Sequence, residues 1–244
     1  MRTRLILLLI CLPCPGLCQE STIKNTIPVP QGYQRQTYPG SSYSNWIQNL
    51  QLKPKRDIRN YRNQTVESGS YNVWRVVRMP LLFQSDLEQC ADFAMRFWAE
   101  YHKAAGKLDK LYLFDYGGHR ISFKQSGKSY RQFLKQSFAY SNSYSLKKGC
   151  AVIMADRIIP GDMFIQNEQG GIGHVSIVLD ICQSEQGDTL LLVGYSYIPA
   201  QEFHIEKAGD QYGKEGWFTV EGYTRYLLDN LNYGKPVLRR FEPQ

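Results

Sequence analysis

The chain has 244 residues, of which 43% are hydrophobic and 21% are charged. A chain of this length and composition can bury a full core in one domain or in two small ones, and wholesale disorder is excluded. The formal net charge is +7, but Lys and Arg form no dense block, so the sequence does not indicate a nucleic-acid-binding protein.

The first residues have the pattern of a cleaved signal peptide. Arg2 and Arg4 form a charged start, and the apolar run 5–12 that follows is too short to span a bilayer. We predict a signal peptide at residues 1–18 and a secreted or periplasmic mature protein without stable membrane insertion. Leu17 stands before Cys18, where a lipoprotein signal requires a small residue, so lipid anchoring is not expected.

Removal of this segment would change the charge and the cysteine count. It would leave 27 of the 29 basic residues against 22 acidic ones, and three cysteines, Cys90, Cys150 and Cys182. Three is an odd number in an oxidising compartment, so at least one thiol stays free or pairs with another chain.

The predicted elements follow one another without repeats or a low-complexity linker. Residues 19–84 are rich in Pro, Gly, Ser, Tyr and Gln and are predicted to form an extended N-terminal arm and lead-in, part of the same domain as a core at residues 85–244. Hydrophobic periodicity predicts helices at 42–50, 85–105, 130–138 and 220–231. It predicts strands at 73–78, 111–114, 151–154, 163–165, 175–181 and 189–195. A few helices followed by a mostly antiparallel sheet predict an α+β fold.

Cys90 lies close to a predicted helix start. Ser85 followed three residues later by Glu88 has the pattern of a capping box, which marks the beginning of a helix. Free backbone N–H groups and the positive end of the helix dipole favour a thiolate in the first turns. The thiolate is the nucleophilic form of cysteine, so Cys90 is the predicted nucleophile.

A cysteine nucleophile requires a base within hydrogen-bond reach. Of the four histidines, His174 is the best candidate, because it opens an apolar strand after a glycine-rich segment. His102 is on the Cys90 helix, about 18 Å further along the axis at ~1.5 Å per residue, so it cannot pair with Cys90. His119 and His204 remain possible. The Cys and His spacings do not indicate a zinc site, and no cofactor is predicted.

The group that orients the base is expected near the strand that follows. If Cys182 faces Asp188 across the hairpin at 183–187, His174 lies opposite Ser196, within a couple of residues. Ser196 and Gln201 are the predicted orienting residues. The main-chain N–H of Cys90 and the side chain of Gln89 are the predicted oxyanion donors.

Each of these residues also has a purely structural interpretation. A cysteine on an early helical turn is commonly a small buried hydrophobe, and a histidine that opens a strand is commonly structural. Asp92 is expected to be a first-turn charge and not a catalytic group. Both interpretations of the Cys90 and His174 pair stay open on the residues alone.

The order of the motifs is similar to that of a known enzyme class. A cysteine helix followed by Pro160-Gly161-Asp162 and then by His174-Val175-Ser176-Ile177-Val178-Leu179 resembles the NlpC-type branch of papain-like cysteine peptidases over residues 85–200. This resemblance implies a papain-like fold, in which a helix packs on an antiparallel sheet. It also implies cleavage of peptide bonds, as in bacterial cell-wall stems.

A second resemblance covers nearly the whole mature chain. It is to an uncharacterised family of secreted bacterial proteins of about this length, a domain of unknown function. The motifs that carry it are Gly32-Tyr33-Gln34-Arg35, Leu52-Lys53-Pro54, Gln89-Cys90-Ala91-Asp92, Arg96, Ala99-Glu100-Tyr101, Gly173-His174 and Ser196-Tyr197-Ile198-Pro199-Ala200-Gln201. This resemblance implies one domain but no activity. In that family a glutamine usually stands where this chain has Tyr195. If that glutamine orients the histidine, the resemblance implies either a weakened activity here or the use of Gln201 or Ser196 in its place.

Two functions are therefore predicted. The first is an exported cysteine hydrolase, a peptidase or amidase, that acts as a monomer on peptide or amide bonds, possibly those of cell-wall peptides. The second is a non-catalytic secreted protein on the same scaffold, which binds a glycan or peptide through its tyrosine-rich surface.

Overall fold

The computed structural model describes residues 21–67, 69 and 71–242. The predicted signal peptide at 1–18 therefore lies outside the described residues. The α-helices of the described part are α1 (Ile23–Thr26), α2 (Tyr43–Gln48), α3 (Cys90–Ala104), α4 (Phe123–Ser126), α5 (Tyr130–Tyr140), α6 (Ser143–Gly149) and α7 (Val220–Asn230). Of the described helices, none is long and apolar enough to cross a bilayer.

The strands form one large and one small antiparallel sheet. In chain order they are β1 (Tyr33–Arg35), β2 (Val73–Val76), β3 (Tyr112–Phe114), β4 (Arg120–Ser122), β5 (Ala151–Val152), β6 (Met163–Gln166), β7 (His174–Ser184), β8 (Thr189–Tyr195), β9 (His204–Glu206), β10 (Gly213–Lys214), β11 (Trp217–Thr219) and β12 (Val237–Arg240). Strands β3 and β4 form the small sheet, and the others form the large one. Helices with an antiparallel sheet confirm the α+β class.

The hairpin of β7 and β8 forms the centre of the large sheet. On the edge away from β8, β7 pairs with β6 along its first half and with β1 along its last residues. On the other side β8 pairs with β9 and β11. Both central strands are buried over nearly their whole length, because they have neighbours on both edges and helices on both faces.

The two faces of the sheet pack against different helices. Val175 and Ile177 belong to the larger core, which also contains the buried residues of α3. Val178 and Val193 belong to a second core with Leu227 of α7. Successive side chains of a strand point to opposite faces, so the odd-numbered residues at the start of β7 face α3 and the even-numbered ones face α7.

Residues 21–84 do not extend away from the core. They contribute β1 and β2 to the large sheet, and α2 packs against α3 and β7. They also supply the partners of a buried carboxylate, because Asp180 accepts hydrogen bonds from Arg35 Nε and from Gln48 Nε2, each at 2.6 Å. A buried carboxylate is stable only when it is paired, so this segment is integral to the fold.

Helix α3 begins five residues later than the predicted capping box. Ser85 and Glu88 precede the helix, whose N-terminal residue is Cys90. The Glu88 carboxylate is buried, where it pairs with Arg96 and accepts the Leu82 N–H at 2.6 Å. Its place at the helix start is taken by Asp92, whose carboxylate accepts the Gln89 N–H at 2.9 Å. The predicted helix existed, but its start was wrong because Glu88 has a tertiary partner.

Candidate functional site

Cys90 is the first residue of α3, and its thiol meets the edge of strand β7. The Sγ atom lies 3.8 Å from the carbonyl oxygen of Gly173, and the residue is 7% exposed. Burial raises the pKa of the thiol to about 11, although backbone N–H groups, that of Val175 foremost, act to lower it. Desolvation therefore outweighs the helix N-terminus. The preformed thiolate expected from the sequence is replaced by a neutral thiol.

Gly173 permits this close approach. A Cβ atom at this position would lie 2.3 Å from the carbonyl oxygen of Gln166 and 2.5 Å from Ser143 Oγ. Both distances are far below van der Waals contact, so any side chain here would push β7 away from β6 and α6. The glycine before His174 is thus required by packing, as its place in the sequence suggested.

A cleft of about 750 Å³ opens beside Cys90. This volume is within the range of small-molecule and peptide sites. Residues from five chain segments line the cleft: the entry to α3 at 86–92, Tyr116, the end of α5 and start of α6 at 138–143, the loop 171–173, and Ile198. Gln89, the predicted oxyanion donor, is among them.

His174 is the first residue of β7 and is 1% exposed. Its ring packs against Tyr195 and Tyr197, with centroid distances of 5.1 and 5.6 Å. Both ring nitrogens are buried without a hydrogen-bond partner among the described residues, so no hydrogen bond joins them to Cys90 there. Burial, with a smaller contribution from His204, lowers the pKa of His174 to about 3.

Cys90 and His174 both lie at the start of β7, but their side chains occupy different sides of the strand. The alternation of the strand directs the His174 side chain toward the α7 face, and its neighbour Tyr195 bonds Tyr226 of α7 at 3.0 Å. Cys90 instead lies along the strand edge, next to Gly173 O and Val175 N. Strand β8 ends at Tyr195, so the first residues of β7 extend beyond the end of β8. The N-terminus of α3 lies beside these first residues of β7.

Gln166 is a neighbour of His174 that was not among the predicted site residues. The two residues are paired across β6 and β7, a position in which Cβ atoms are about 4.5–5.5 Å apart. The Gln166 amide nitrogen donates to Gly234 O at 2.8 Å and to Leu227 O at 3.4 Å. Its Oε1 is buried without a partner among the described residues. A lone polar residue at the end of the apolar strand Met163–Gln166 was the signal in the sequence.

The predicted orienting residues bond each other and not His174. Ser196 Oγ donates to the carbonyl oxygen of Gln201 at 2.7 Å. Gln201 Nε2 donates to Tyr71 Oη at 3.2 Å, and both Ser196 and Gln201 are fully buried. None of these hydrogen bonds reaches the His174 ring. An orienting role of Ser196 or Gln201 therefore stays a prediction.

Asp86 joins two parts of the predicted site. Its Oδ1 accepts hydrogen bonds from Gln89 Nε2 at 3.0 Å and from the Ala200 N–H at 2.6 Å. It therefore holds the Gln89 side chain beside the turn that follows β8. No local pattern marks Asp86 as a site residue, because the Ala200 N–H is 114 positions away in the chain.

The hairpin register differs from the predicted one. Cys182 faces Leu190 and not Asp188, and a bulge between Val178 and Asp180 shifts the pairing further along the strands. Continued past the end of β8, this register puts Tyr197 opposite His174. The bulge brings the pairing one residue back toward the predicted register, so Tyr197 lies within the predicted couple of residues of Ser196, and the misplacement by two residues is confined to the hairpin side of the bulge.

The other three histidines, and the cysteines other than Cys90 in the described part of the chain, do not line the cleft. His102 Nδ1 bonds the Trp98 carbonyl at 2.8 Å, and His119 is an exposed partner of Asp115. His204 packs against Tyr195, with a centroid distance of 4.4 Å. Cys90, Cys150 and Cys182 are free thiols, and no group of three or more possible metal ligands was found in the described ranges.

The depressed pKa of His174 predicts a specific dependence of stability on pH. The residue stays neutral in the folded protein down to about pH 3, whereas in the unfolded chain it takes a proton near pH 6.5. Its stabilising contribution is full above pH 6.5 and is lost as the pH falls toward 3, at about 1.4 kcal/mol per pH unit. When the pH is lowered from 7 to 5, the free energy of unfolding of the wild type should therefore fall by about 2 kcal/mol more than that of His174→Gln.

Urea unfolding at the two pH values measures this difference. The matched control is His119→Gln, because the His119 side chain is 83% exposed and is not buried on folding. Equal losses in the wild type and His174→Gln would contradict a buried, neutral His174.

The sequence of the chain matches one family model. Two overlapping stretches, residues 23–128 and 119–240, match the model described as domain of unknown function (4846). No curated protein and no solved structure matches the chain at a significant level. The two stretches together cover nearly all of the described residues, which confirms the resemblance to a family without an assigned activity. The chain belongs to the domain of unknown function (4846) family.

Proposed function

We propose that this protein is an exported, papain-like cysteine hydrolase that cleaves peptide or amide bonds, of which cell-wall peptides are one class. One observation carries the proposal. Cys90 begins a 15-residue helix, lines the cleft, and lies 3.8 Å from the carbonyl oxygen of the residue before His174. A nucleophile and a helix N-terminus thus lie at one cleft, and a histidine follows directly after the glycine that the nucleophile contacts; these are the groups that acyl transfer requires.

The chemistry would proceed by general-base catalysis. The Cys90 and His174 pKa values make both groups neutral at pH 7, so the thiol proton must leave as the sulfur attacks. Cys90 Sγ bonds to the carbonyl carbon, and its proton passes to His174. The tetrahedral intermediate then expels the amine, which takes that proton from His174. Water hydrolyses the resulting thioester and regenerates the thiol.

The helix start supplies the electrostatic part of the mechanism. The backbone N–H groups of Cys90 and Ala91 lie close enough to Sγ to lower its pKa. The same donors would face an oxyanion that forms on a carbonyl bound next to Sγ. The Gln89 side chain, held by Asp86, lines the same cleft and is a further donor.

Gln166 is the residue that we assign to orient His174. Its amide nitrogen is anchored by two main-chain carbonyls, which leaves Oε1 as the free end of the amide. His174 on the paired strand has ring nitrogens without a partner. A ring N–H that donates to Oε1 would present the other nitrogen as the base.

A second function is favoured by a different observation. Cys90 and His174 are both buried and neutral, and no hydrogen bond joins them among the described residues. A binding protein on the same scaffold would have this property as well. It would bind a peptide in the cleft beside Cys90 without turnover, and the Cys90→Ala variant would bind it equally well.

Selective alkylation of Cys90 tests the hydrolase. Cys90 and Cys150 are 7% and 6% exposed, but of the two only Cys90 lines the cleft, so the decisive comparison is the rate at Cys90 with and without His174. With iodoacetamide at pH 7 under native conditions, we expect Cys90 to react at least about tenfold faster than Cys150. We expect His174→Ala to remove this advantage, since a general base contributes ~10²–10⁴-fold. A rate at Cys90 that His174→Ala leaves unchanged would eliminate the catalytic pair.

The same experiment separates a positioning role of Gln166 from a structural one. Gln166→Met should slow the alkylation of Cys90 and also change the tautomer of His174, which ¹⁵N chemical shifts of the ring report. A structural role would leave the tautomer as in the wild type. An unchanged tautomer together with an unchanged rate would remove Gln166 from the mechanism.

A further inference from the structure

We propose that the cleft beside Cys90 binds peptides through an aromatic or aliphatic side chain and rejects an acidic one. The inference rests on the proposed hydrolase and names the substrate class of that site. Two independent properties of the lining carry it, the distribution of exposed apolar side chains and the distribution of charge.

The exposed apolar side chains are concentrated at this cleft. Eight large apolar side chains are exposed in the described part of the chain: Tyr116, Ile121, Tyr140, Val152, Met154, Ile172, Ile198 and Leu228. Four of these eight, Tyr116, Tyr140, Ile172 and Ile198, line the single cleft that also contains Cys90. Isolated exposed apolar residues are ordinary, whereas a cluster of them marks an interaction site.

The four side chains come from separate parts of the fold. Tyr116 follows β3, Tyr140 ends α5, Ile172 lies in the loop before β7, and Ile198 follows β8. Side chains that remain exposed contribute little to the core, so stability does not explain why four segments present apolar groups to one cleft. An apolar group of a ligand that enters the cleft would be desolvated against all four.

The described lining of the cleft has no cationic side chain, and burial raises the pKa of Asp92 in it well above the usual range of a carboxyl group. Basic residues outnumber acidic ones by 29 to 22 in the sequence, yet the lining contains Asp86 and Asp92 and, among its described residues, neither Lys nor Arg. An acidic side chain in this cleft would lose its hydration and find no cationic partner. Neutral and basic residues meet no such penalty.

The remaining polar side chains of the lining are neutral. Gln89, Ser141, Asn142 and Ser143 line the cleft together with the main chain of the loop 171–173. Ser141 Oγ donates to Phe114 O, Ser143 Oγ accepts from Asn167 Nδ2, and Gln89 Nε2 donates to Asp86 Oδ1, so these groups form a polar wall that adds no charge to the cleft. With a nucleophile at the same place, a peptide is the occupant that uses both the apolar rim and Cys90.

The test uses two reactive peptides that differ in one side chain. Acetyl-Ala-Ala-Phe and acetyl-Ala-Ala-Glu chloromethyl ketones each alkylate a thiol. The sulfur bonds to the methylene carbon, chloride leaves, and the thiol proton passes to the base. Mass spectrometry of intact and digested protein gives the rate at Cys90, with iodoacetamide as a reagent that lacks a side chain. We expect the Phe reagent to react at least about tenfold faster than the Glu reagent, the selectivity typical of an apolar pocket.

Variants of the rim locate the preference in the cleft. Tyr140→Ala and Ile172→Ala should slow the Phe reagent several-fold and leave iodoacetamide unchanged. The matched control is Val152→Ala, because Val152 and Ile172 are 74% and 71% exposed and Val152 lies outside the cleft. If the Glu reagent reacts as fast as the Phe reagent, or if Ile172→Ala and Val152→Ala have equal effects, the inference is overturned.

A binding measurement separates this inference from the proposed function. The Cys90→Ala variant is titrated with the unreactive acetyl-Ala-Ala-Phe and acetyl-Ala-Ala-Glu amides, and chemical-shift changes are followed by NMR. Preferential binding of the Phe amide, sensitive to Ile172→Ala, supports the substrate class even where Cys90 proves unreactive and the hydrolase fails. A reactive Cys90 without a preference between the two amides contradicts the substrate class alone.

Discussion

Replacement of Cys90 by alanine is expected to abolish hydrolysis of a peptide anilide that carries phenylalanine before the scissile bond, with kcat/KM lowered by about 10³-fold or more. The covalent path needs a sulfur at this position, and the described residues that line the cleft include no other cysteine. Hydroxyl groups at Ser141 and Ser143 belong to a different segment and cannot replace a nucleophile at the start of α3.

The control for this variant is Cys150→Ala. Cys150 is as deeply buried as Cys90, but it follows α6 and does not line the cleft. Burial raises the pKa of its thiol above that of an ordinary cysteine, so it should be inert. Similar turnover in the two variants would contradict the hydrolase, and binding of the peptide without any turnover in the wild type would support the binding protein.

Replacement of Arg96 by alanine is expected to cost about 3–5 kcal/mol of unfolding free energy at pH 7, the usual penalty for leaving a buried charge without its partner. Arg96 lies in the second turn of α3 and pairs with Glu88, and both side chains are buried. Without Arg96 the Glu88 carboxylate would keep the Leu82 N–H but no cation. Urea unfolding measures the loss.

The pH dependence of this loss has a definite sign. Burial raises the pKa of Glu88 even with Arg96 present, and removal of Arg96 would raise it further. A carboxyl group whose folded pKa is raised binds its proton more tightly in the folded state, so its destabilising effect appears as the pH rises. The cost of Arg96→Ala should therefore shrink as the pH is lowered from 7 toward 5.

Two comparisons make the result specific to the buried pair. Arg59→Ala removes an arginine that is 43% exposed and paired with Asp57, and it should cost no more than about 1 kcal/mol. The double variant Arg96→Leu with Glu88→Gln removes both charges and keeps an acceptor for Leu82. It should recover most of the stability lost in Arg96→Ala. No recovery would show that Arg96 acts through packing and not through charge.

The Arg96–Glu88 pair also bears on the candidate site. Glu88 is two residues before Cys90, and its contacts with Leu82 and Arg96 hold the chain as it enters α3. A variant that loosens this entry would displace Cys90 from the edge of β7. Stability and thiol reactivity should therefore fall together in Arg96→Ala, and both should recover together in the double variant.

Sequence patterns were sufficient for features that depend on neighbouring residues. The predicted strand 189–195 matches β8, and the helix at 220–231 matches α7 to within one residue. Period-two and period-3.6 patterns determine such elements locally. Cys90 near a helix start and His174 at the start of a strand were found for the same reason. The α+β class followed from the order of these elements.

Only the tertiary structure decided what surrounds those two residues. The start of α3 depends on Arg96, which takes Glu88 away from the helix terminus. The placement of the segment before residue 84 depends on Asp180, whose partners Arg35 and Gln48 are more than 130 positions away. Gln166 lies beside His174 through strand pairing, and the apolar rim joins four distant segments. These contacts depend on packing and burial between remote parts of the chain, which no local periodicity encodes. Sequence alone therefore determined the cysteine and the histidine, and the fold decided the cleft, the protonation of both groups and the neighbours that complete the site.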